Sequence, residues 1–451
     1  MNLYAMLQAR AEGGRPLRVG LIGAGKFGTM FLSQALHTKG LHVMCIADLD
    51  VGRARAALAA TGWPQESYGA ASAAKALDEG STFITDDADA LINAGGLEVV
   101  IEATGVPDIG IAHALKCFAQ NRHVVMVNVE ADALAGPLLA ARAAAAGVVY
   151  SMAYGDQPAL IAEQVDWARA CGFDVVAAGK GTKYLPEYNQ STPDTVWDHY
   201  GLTPEQAATS GMNSKMFNSF LDGTKSAIEM AAVANACNLT PAPGGLKFPP
   251  CGIDDLAQVL KPESDGGQLH HSGTVEVISS LERDGGDVLR DLRWGVFVSF
   301  KAPSDYVERC FREYGVVTDD SGRYSVLYRP FHLIGLELGI SVISAGLLRQ
   351  PTGVAGNFLA DAVATAKRDL GIGEVLDGEG GYTVYGSLVP AADSHINGYL
   401  PIGLASGVPL NTAIPAGQPI RFADVKIDET SQAVLFRRQM EAQFDPGDGP
   451  F

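Results

Sequence analysis

The sequence lacks the patterns that would indicate a metal-binding cysteine motif, a disulfide framework or a membrane span. Its six cysteines are scattered without CxxC spacing, which favours buried free thiols in a reducing compartment. The most hydrophobic late stretch, residues 332–348, is interrupted by Glu337 and is too short to cross a bilayer. The first residues show no basic segment followed by an apolar one, so we expect no export signal. We therefore predict a cytoplasmic protein.

Positive charge is also scarce. The formal net charge is −18, which argues against nucleic acid or an anionic membrane as a partner. The sequence has no GxSxG, Walker or HExxH motif, so hydrolase and kinase activities have no support. An anionic small-molecule substrate would need a local basic pocket within this acidic chain.

The 451 residues, 47% of them hydrophobic, indicate a globular protein of about two or three domains. Up to residue 153, continuously apolar strands alternate with helices, which predicts a doubly wound parallel sheet of the Rossmann type. Residues 154–368 read as an α+β catalytic and dimerisation domain that includes a long helix over 330–348. Residues 369–451 read as a small β domain similar to SAF modules, with a strand over 402–405 and a closing helix. The predicted fold class is α/β.

A glycine-rich motif connects the first strand to the first amphipathic helix. An acidic residue, Asp48, follows it by about twenty positions at the end of the next strand, as expected for dinucleotide binding. The first glycine allows a tight turn, the second lets the backbone approach the pyrophosphate, and the third allows close helix packing. The candidate residues of this loop are Gly23, Gly25, Lys26, Phe27 and Gly28.

A second small-residue stretch, Ala103-Thr104-Gly105, ends a later strand and would keep the nicotinamide side of the crevice open. Asp48 could accept both ribose hydroxyls, which favours NAD. Arg53 and Arg55 lie just downstream and could neutralise a 2′-phosphate, so residue types alone leave NAD and NADP open.

The segment 213–229 is rich in polar side chains, and its apolar residues predict a largely buried helix. Charges on a buried helix need partners, which favours function over an ordinary solvated face. Four of these side chains would fall near one face of a continuous helix. The candidates are Lys215, Asn218 and Ser219 for substrate binding, Asp222 and Lys225 for proton transfer, and Glu229 for acid–base chemistry or metal binding.

Other candidates lie outside this segment. Lys183 follows an apolar strand and could meet a carbonyl or phosphate group, or it could belong to a solvated basic turn. Arg329 and His332 would lie at the start of the predicted helix, where the helix dipole favours anions, although His332 could equally be a packed histidine. The pair His270-His271 has no further zinc ligands at suitable spacing.

The motifs at 23–28, 100–105 and 127–130 resemble the nucleotide domain of homoserine dehydrogenases. The whole architecture, with the 213–229 segment, residues 328–333 and the SAF-like end, resembles a narrower group of reductoisomerase-like proteins. That group converts 1-deoxy-D-xylulose 5-phosphate into 2-C-methyl-D-erythritol 4-phosphate, an isoprenoid precursor of the methylerythritol phosphate pathway. Homoserine dehydrogenases place an Asp and a Lys in a helix that matches Asp222 and Lys225.

The resemblance implies NADPH, a divalent cation (Mg²⁺ or Mn²⁺), a phosphorylated small-molecule substrate and a homodimer. One position departs from homoserine dehydrogenases, which carry a lysine where this chain has Val129. The next residue, Glu130, could hold metal or orient a loop. The alternatives are another dehydrogenase of the same group, acting on a small polyol, sugar acid or homoserine-like substrate, and a sensor that reads cofactor state.

Overall fold

The computed structural model describes residues 2–209 and 211–444. The chain forms two compact units, each built from more than one stretch of sequence. Unit 1 comprises Met1–Leu160 and Leu333–Gly356, and unit 2 comprises Ile161–His332 and Asn357–Phe451. The three-domain division expected from the sequence stays a prediction.

Unit 1 contains a six-stranded sheet in which every neighbouring pair is parallel. Its strands run in the order β3-β2-β1-β4-β5-β6, which is the Rossmann order and confirms the predicted doubly wound sheet. The central strands are buried on both faces, because consecutive side chains of β4, Val99, Val100 and Ile101, have no exposed area. The strands are β1 Leu17–Ile22, β2 Leu41–Ala47, β3 Phe83–Thr85, β4 Val99–Glu102, β5 His123–Met126 and β6 Tyr150–Met152.

The helices that connect these strands begin at side chains suited to capping. The carboxylate of Asp50 accepts the N–H of Arg53, and the amide oxygen of Asn128 accepts the N–H of Ala131. The last helix of the series begins in unit 1 and ends in unit 2. The helices are α1 Leu3–Glu12, α2 Lys26–Ala35, α3 Val51–Ala60, α4 Ala73–Glu79, α5 Ala88–Ile92, α6 Pro107–Ala119, α7 Val129–Ala145 and α8 Gln157–Ala170, with a 3₁₀ turn at Gln65–Tyr68.

Unit 2 contains a mixed four-stranded sheet in the order β10-β9-β7-β8. Strands β7 and β8 are parallel, while β9 is antiparallel to both β7 and β10. The carboxyl ends of β7, β8 and β10 therefore share one edge with the amino end of β9. The strands are β7 Asp174–Thr182, β8 Thr274–Ser279, β9 Val296–Lys301 and β10 Tyr324–Arg329.

The predicted single helix over 213–229 is wrong, because the structure divides it into two. Gly223 has a φ of +88°, a left-handed conformation that ends the first helix and starts the second. The helices of this region are α9 Val196–Tyr200, α10 Pro204–Thr209, α11 Ser214–Leu221, α12 Thr224–Cys237, α13 Leu256–Val259 and α14 Asp305–Glu313, with 3₁₀ turns at Pro186–Gln190 and Glu263–Asp265.

The predicted long helix over 330–348 is also wrong. Residues 330–338 are irregular, and the only helical parts of this segment are α15 Gly339–Ile343 and a π-helical turn, Ser344–Leu348. Gly335 explains the interruption, because its φ is +71° and a Cβ there would lie 2.7 Å from the Phe27 carbonyl oxygen. The segment from Leu338 onward packs into the core of unit 1 beside Leu17 and Val19.

The remaining chain consists of short strands and turns, as the composition predicts, and ends in the expected helix. Residues 402–405 form a 3₁₀ turn, Ile402–Leu404, and not the predicted strand, since the preceding Pro401 cannot donate a ladder hydrogen bond. The elements are β11 Ala360–Ala366, β12 Val375–Asp377, β13 Val384–Pro390, α16 Ala391–Asn397, β14 Ser406–Pro409, a 3₁₀ turn Phe422–Asp424 and α17 Gln432–Gln443. Within the described part of the chain, no helix has the length and apolarity needed to cross a membrane.

Candidate functional site

The glycine loop joins β1 to α2 in the tight turn expected from its sequence. Gly23 has a φ of +98°, and a Cβ there would lie 2.6 Å from the Ala103 carbonyl oxygen. A Cβ at Gly28 would lie 2.4 Å from the Gly23 carbonyl oxygen, so both positions exclude a side chain. A Cβ at Gly25 would meet no heavy atom within 4 Å, which leaves an open space beside the loop.

The open space at Gly25 fits a pyrophosphate group. Helix α2 begins at Lys26, with Phe27 in its first turn, so the first N–H groups of the helix have no intrahelical acceptor. Those N–H groups and the helix dipole favour an anion at this position. The loop therefore fits a dinucleotide. Gly23 and Gly28 allow the close backbone contacts of the turn, and Gly25 leaves space for the pyrophosphate.

Asp48, directly after β2, is 5% exposed and already holds several hydrogen bonds. Its Oδ2 accepts the N–H of Ala24 at 2.7 Å, and its Oδ1 accepts the N–H of Asp50 at 2.9 Å and Arg53 Nη2 at 2.5 Å. Burial alone would raise the pKa of Asp48, but the hydrogen bonds from Arg53, Asp50 and Ala24 hold that pKa below its usual value. Asp48 thus fixes the glycine loop and positions the half-exposed Arg53.

The carboxyl end of β4 carries the second predicted cofactor stretch. Ala103 and Thr104 are partly exposed and Gly105 is exposed, with a φ of +69°. The hydroxyl of Thr104 donates to Oε1 of Glu102 at 2.6 Å, and His113 Nδ1 donates to the same oxygen at 3.3 Å. The other oxygen of Glu102 is buried without a hydrogen-bond partner. Glu102 was not predicted as a polar side chain of this region, since it lies within an apparently apolar strand.

In unit 2, basic and aromatic side chains gather near the sheet edge where β7 and β10 end and β9 begins. Lys183 follows β7, and its Nζ donates to the carbonyl of His199 and lies 5.8 Å from the Tyr200 ring centre. The guanidinium of Arg293, in the loop before β9, lies 4.7 Å from the Trp294 ring and 5.7 Å from the Tyr200 ring. Burial lowers the pKa of Lys183, and the positive charge of Arg293 lowers it further. In the part of the chain that the structure describes, neither cation forms an ion pair with a carboxylate.

The two other predicted anion-binding residues lie close to this edge, but not at a helix start. Arg329 ends β10 and lies 4.7 Å from the Phe331 ring centre. His332 Nδ1 donates to the carbonyl of Trp294 at 2.7 Å. The helix-dipole argument for Arg329 and His332 is wrong because no helix begins there, while the proximity of His332 to Trp294 places it beside the Arg293 loop.

The polar residues of α11 contact the protein itself. Asn218 and Ser219 are at most 1% exposed, and Asn218 Nδ2 donates to the carbonyls of Ser191 and Gly380 at 3.1 and 3.0 Å. Ser219 donates to the Met216 carbonyl at 2.8 Å within the helix. Lys215 is exposed and its Nζ donates to the Asp377 carbonyl at 2.5 Å. These contacts favour a structural role for Asn218 and Ser219, and substrate binding by the residues of α11 stays a prediction.

Asp222 has no exposed area and forms an ion pair that the sequence did not predict. Lys367 Nζ lies 2.7 Å from Asp222 Oδ2 and donates also to the carbonyls of Ser191 at 2.6 Å and Gly381 at 2.7 Å. The other carboxylate oxygen accepts the N–H of Thr224 at 2.9 Å. Burial raises the pKa of Asp222, and the Lys367 ammonium opposes that increase. The geometry makes Asp222 a clamp at the α11–α12 junction, and its catalytic role stays a prediction.

Glu229 and Lys225 lie on α12, separated from α11 by the break at Gly223. Glu229 is 4% exposed and forms a buried ion pair with Lys180 of β7. Lys225 lies in the first turn of α12 and is partly exposed. The break at Gly223 therefore separates Lys215 and Ser219 from Glu229, and the predicted common helix face does not exist.

The residues present do not form a protein-held metal centre. In residues 2–209 and 211–444, no three His, Cys, Asp or Glu side chains come together in a way that could hold a metal ion. Glu229 is engaged by Lys180, and Glu130 lies in the first turn of α7. His270 and His271 contact each other through their Nδ1 atoms at 3.1 Å, without a further ligand. No group of three such ligands among the described residues supports the divalent cation, which stays a prediction.

Comparison with known proteins adds a family match to this geometry. Residues 155–338, less than half of the chain, match the family model for the catalytic domain of oxidoreductase DRL. No curated protein matches the chain. These findings and the Rossmann unit indicate an oxidoreductase of the NAD(P) type.

Solved structures with partial similarity are also oxidoreductases. A DOX-P reductoisomerase in complex with magnesium is 14% identical, with a TM-score of 0.34, over 50% of this chain and 58% of that one. A myo-inositol dehydrogenase from Lactobacillus casei, in complex with NAD(H) and myo-inositol, is 16% identical with a TM-score of 0.28, over 41% and 52%. An NAD binding oxidoreductase from Klebsiella pneumoniae is 20% identical with a TM-score of 0.28, over 39% and 45%. The chain spans about half the length of these structures.

Proposed function

We propose that this chain is an NADPH-dependent oxidoreductase acting on a small phosphorylated substrate, and that its reaction converts 1-deoxy-D-xylulose 5-phosphate into 2-C-methyl-D-erythritol 4-phosphate. The observation that supports a phosphorylated substrate is the pair of cations Lys183 and Arg293. Among the described residues neither cation forms an ion pair, although the charge of Asp287 raises the pKa of Lys183 slightly against the larger effects of burial and Arg293. Two such cations near each other, in a chain of net charge −18, favour an anion between or beside them. A phosphate group matches this need, since guanidinium groups bind it through paired hydrogen bonds.

Arg53 supports the preference for NADPH. The carboxylate of Asp48 already accepts hydrogen bonds from Ala24, Asp50 and Arg53, which leaves it little capacity for two ribose hydroxyls. The side chain of Arg53 is 55% exposed and directed by Asp48, so its remaining N–H groups can bind a 2′-phosphate. Asp48 therefore serves to orient Arg53.

The residues of the chain would bind and orient the two reactants. The glycine loop would hold the pyrophosphate, and the Lys183–Arg293 edge would hold the substrate phosphate. NADPH, when bound, supplies the hydride for the reduction. Burial and the charge of Arg293 lower the pKa of Lys183, and a phosphate bound beside it would favour its charged form.

A second candidate is a dehydrogenase that acts on another small polyol, sugar acid or homoserine-like substrate. The observation that favours it is the missing ligand set for a divalent cation among the described residues. A simple hydride transfer to or from a carbonyl group can proceed with protein hydrogen-bond donors alone.

The test follows the absorbance of reduced nicotinamide with the purified chain, 1-deoxy-D-xylulose 5-phosphate and NADPH, with Mg²⁺, Mn²⁺ or a chelator. We expect oxidation of NADPH, and for Arg293→Ala an increase in KM of about tenfold or more, because a charge-assisted hydrogen bond contributes about 1.5–3 kcal/mol. Arg290→Ala is the matched control, since Arg290 lies in the same loop but is exposed and paired with Asp254. Oxidation with another substrate and not with this one would support the dehydrogenase; an equal KM for both variants would contradict the phosphate site.

A further inference from the structure

The aromatic ring of Tyr200 contacts both cations at the sheet edge of unit 2. Its centre lies 5.8 Å from Lys183 Nζ and 5.7 Å from the guanidinium carbon of Arg293. Both distances are within the range over which the negative face of an aromatic ring attracts a cation. Two positive charges that repel each other therefore share one ring as a common attractive partner.

The position of Tyr200 at the end of α9 explains how Lys183 reaches the ring. Gly201 has a φ of +67°, a left-handed conformation that ends the helix directly after Tyr200. The last carbonyls of a helix have no intrahelical donor and carry the negative end of its dipole. One of them, the carbonyl of His199, accepts a hydrogen bond from Lys183 Nζ. The end of α9 thus holds the ammonium group through a carbonyl and an aromatic ring.

The loop before β9 brings Arg293 to the same ring. A Cβ at Gly181, near the end of β7, would lie 1.9 Å from the carbonyl oxygen of Leu292, so this close approach of the loop requires a glycine. The guanidinium carbon of Arg293 lies 4.7 Å from the ring of Trp294, in addition to its contact with Tyr200. The backbone therefore fixes the loop, and two aromatic rings hold the guanidinium group.

The ring of Tyr200 is itself held by aromatic packing. The ring of Phe217, on α11, lies 5.6 Å from it at an interplanar angle of 82°, and Phe217 also packs 5.3 Å from the ring of Trp197. Burial raises the pKa of Tyr200 to about 12, although the charge of Arg293 opposes this increase. The phenol therefore stays neutral near pH 7, and the ring face is the part of Tyr200 that both cations contact.

We propose that Tyr200 is a positioning residue that holds Lys183 and Arg293 side by side through the face of its ring, so that both cations bind one substrate phosphate. The inference rests on the proposed phosphorylated substrate and deepens it by naming what organises the phosphate site. A ring face attracts a cation without a conventional hydrogen bond, so the N–H groups of the cation remain available for phosphate oxygens. Holding the two cations in place beforehand lowers the cost of ordering them when the phosphate binds.

The test varies the electron density of the ring at position 200 and keeps its shape. The variants are Tyr200→Phe and the replacement of Tyr200 by trifluorinated or pentafluorinated phenylalanine, in which fluorine withdraws electron density from the ring face. Calorimetric titration measures the binding of 1-deoxy-D-xylulose 5-phosphate to each. We expect Tyr200→Phe to bind within about twofold of the natural chain. The pentafluorinated variant should bind about fivefold or more weakly, with the trifluorinated one between them, because two cation–π contacts are lost.

The same fluorinated replacements at Phe217 are the matched control. Phe217 belongs to the same aromatic cluster, but among the described residues no cation lies over its ring, so its fluorination should change the affinity by less than about twofold. Inorganic phosphate is a second probe, measured by phosphorus NMR titration. Only the phosphate binding that Arg293→Ala removes is counted, since that is the binding at this edge, and the fluorinated series should weaken it in the same order.

Three results would overturn the inference alone: equal affinities across the fluorinated series at position 200, an equal loss from fluorination at Phe217, or a loss in Tyr200→Phe as large as in the pentafluorinated variant. The last would assign the effect to the hydroxyl group. If the natural chain binds inorganic phosphate at this edge and does not bind 1-deoxy-D-xylulose 5-phosphate, the proposed substrate is wrong, and the series measured with phosphate decides the inference. Binding of neither probe overturns the phosphate site and the inference with it.

Discussion

Replacing Lys367 with methionine should destabilise unit 2 strongly and in a pH-dependent way. The ammonium of Lys367 makes three hydrogen bonds of 2.6–2.7 Å, one of them to the fully buried Asp222. Its removal leaves two carbonyls and one carboxylate oxygen without that donor. Breaking a buried ion pair from one side costs about 3–5 kcal/mol, which for a unit of this size lowers the melting temperature by about 10 °C.

The sign of the pH dependence follows from the pKa of Asp222. Burial already raises this pKa, and loss of the opposing ammonium raises it further. The folded variant then holds a proton that its unfolded chain releases, so its stability falls as the pH rises between those two pKa values. We expect the difference from the natural chain to be smaller at about pH 5 than at about pH 8.

Urea unfolding of the natural chain, Lys367→Met, Asp222→Asn and the double variant measures these differences. The double variant, which removes both charges, should recover most of the stability lost in Lys367→Met. The structural assignment would be refuted if Lys367→Met unfolded at the same urea concentration as the natural chain, or if Asp222→Asn kept full stability and lost all activity. The second result would support a catalytic role for Asp222.

Three further predictions concern unit 1. Gly23→Ala should abolish dinucleotide binding in a titration, because its Cβ would lie 2.6 Å from the Ala103 carbonyl oxygen at a φ of +98°; retained affinity would show that the loop shifts freely. Arg53→Ala should weaken NADPH binding by about tenfold or more and leave NADH binding nearly unchanged, and an equal loss for both would refute 2′-phosphate recognition. Asp132→Asn should stabilise the protein by up to about 3 kcal/mol near pH 7 and have little effect near pH 4, since the pKa of about 6 lies about two above the ordinary value; a pH-independent difference in urea unfolding would contradict this.

The Rossmann unit was predictable because its signals are local. The signals lie within a short stretch: apolar strands, the glycines at 23, 25 and 28, and Asp48. A direct steric or electrostatic requirement of dinucleotide binding or of sheet packing explains each of them. Arg53 was a candidate for the same reason, but its ion pair with Asp48 was not predicted. The sheet order follows from the dinucleotide-binding motif, because alternating strands and helices alone also fit other doubly wound orders.

Much of the candidate site in unit 2 was not predictable, because it depends on contacts between residues far apart in sequence. Lys367 lies 145 positions from Asp222, and nothing near it marks it as a partner. Gly223 itself indicated a possible helix end. The helical spacing of apolar residues on both sides of it nevertheless suggested one continuous helix. Arg293 became a candidate only in the folded structure, where its loop before β9 lies beside Lys183 at the end of β7. The adjacent Trp294, an aromatic residue in a loop rich in aspartate, was the one feature of the sequence that could have indicated a binding site there.

The discontinuity of unit 1 has a consequence for how the chain is made. The side chains of Leu338 and Val342 pack in the same core as those of Leu17 and Val19. Ser341 also accepts the N–H of Tyr154 at 2.7 Å, and Gly353 accepts that of Met152 at 2.8 Å. During synthesis, the nucleotide-binding sheet therefore emerges first but is completed only when residues 333–356 follow the whole intervening segment. A nascent or truncated chain that stops before residue 333 lacks these side chains. The apolar residues of the Rossmann sheet that they cover are then exposed to solvent.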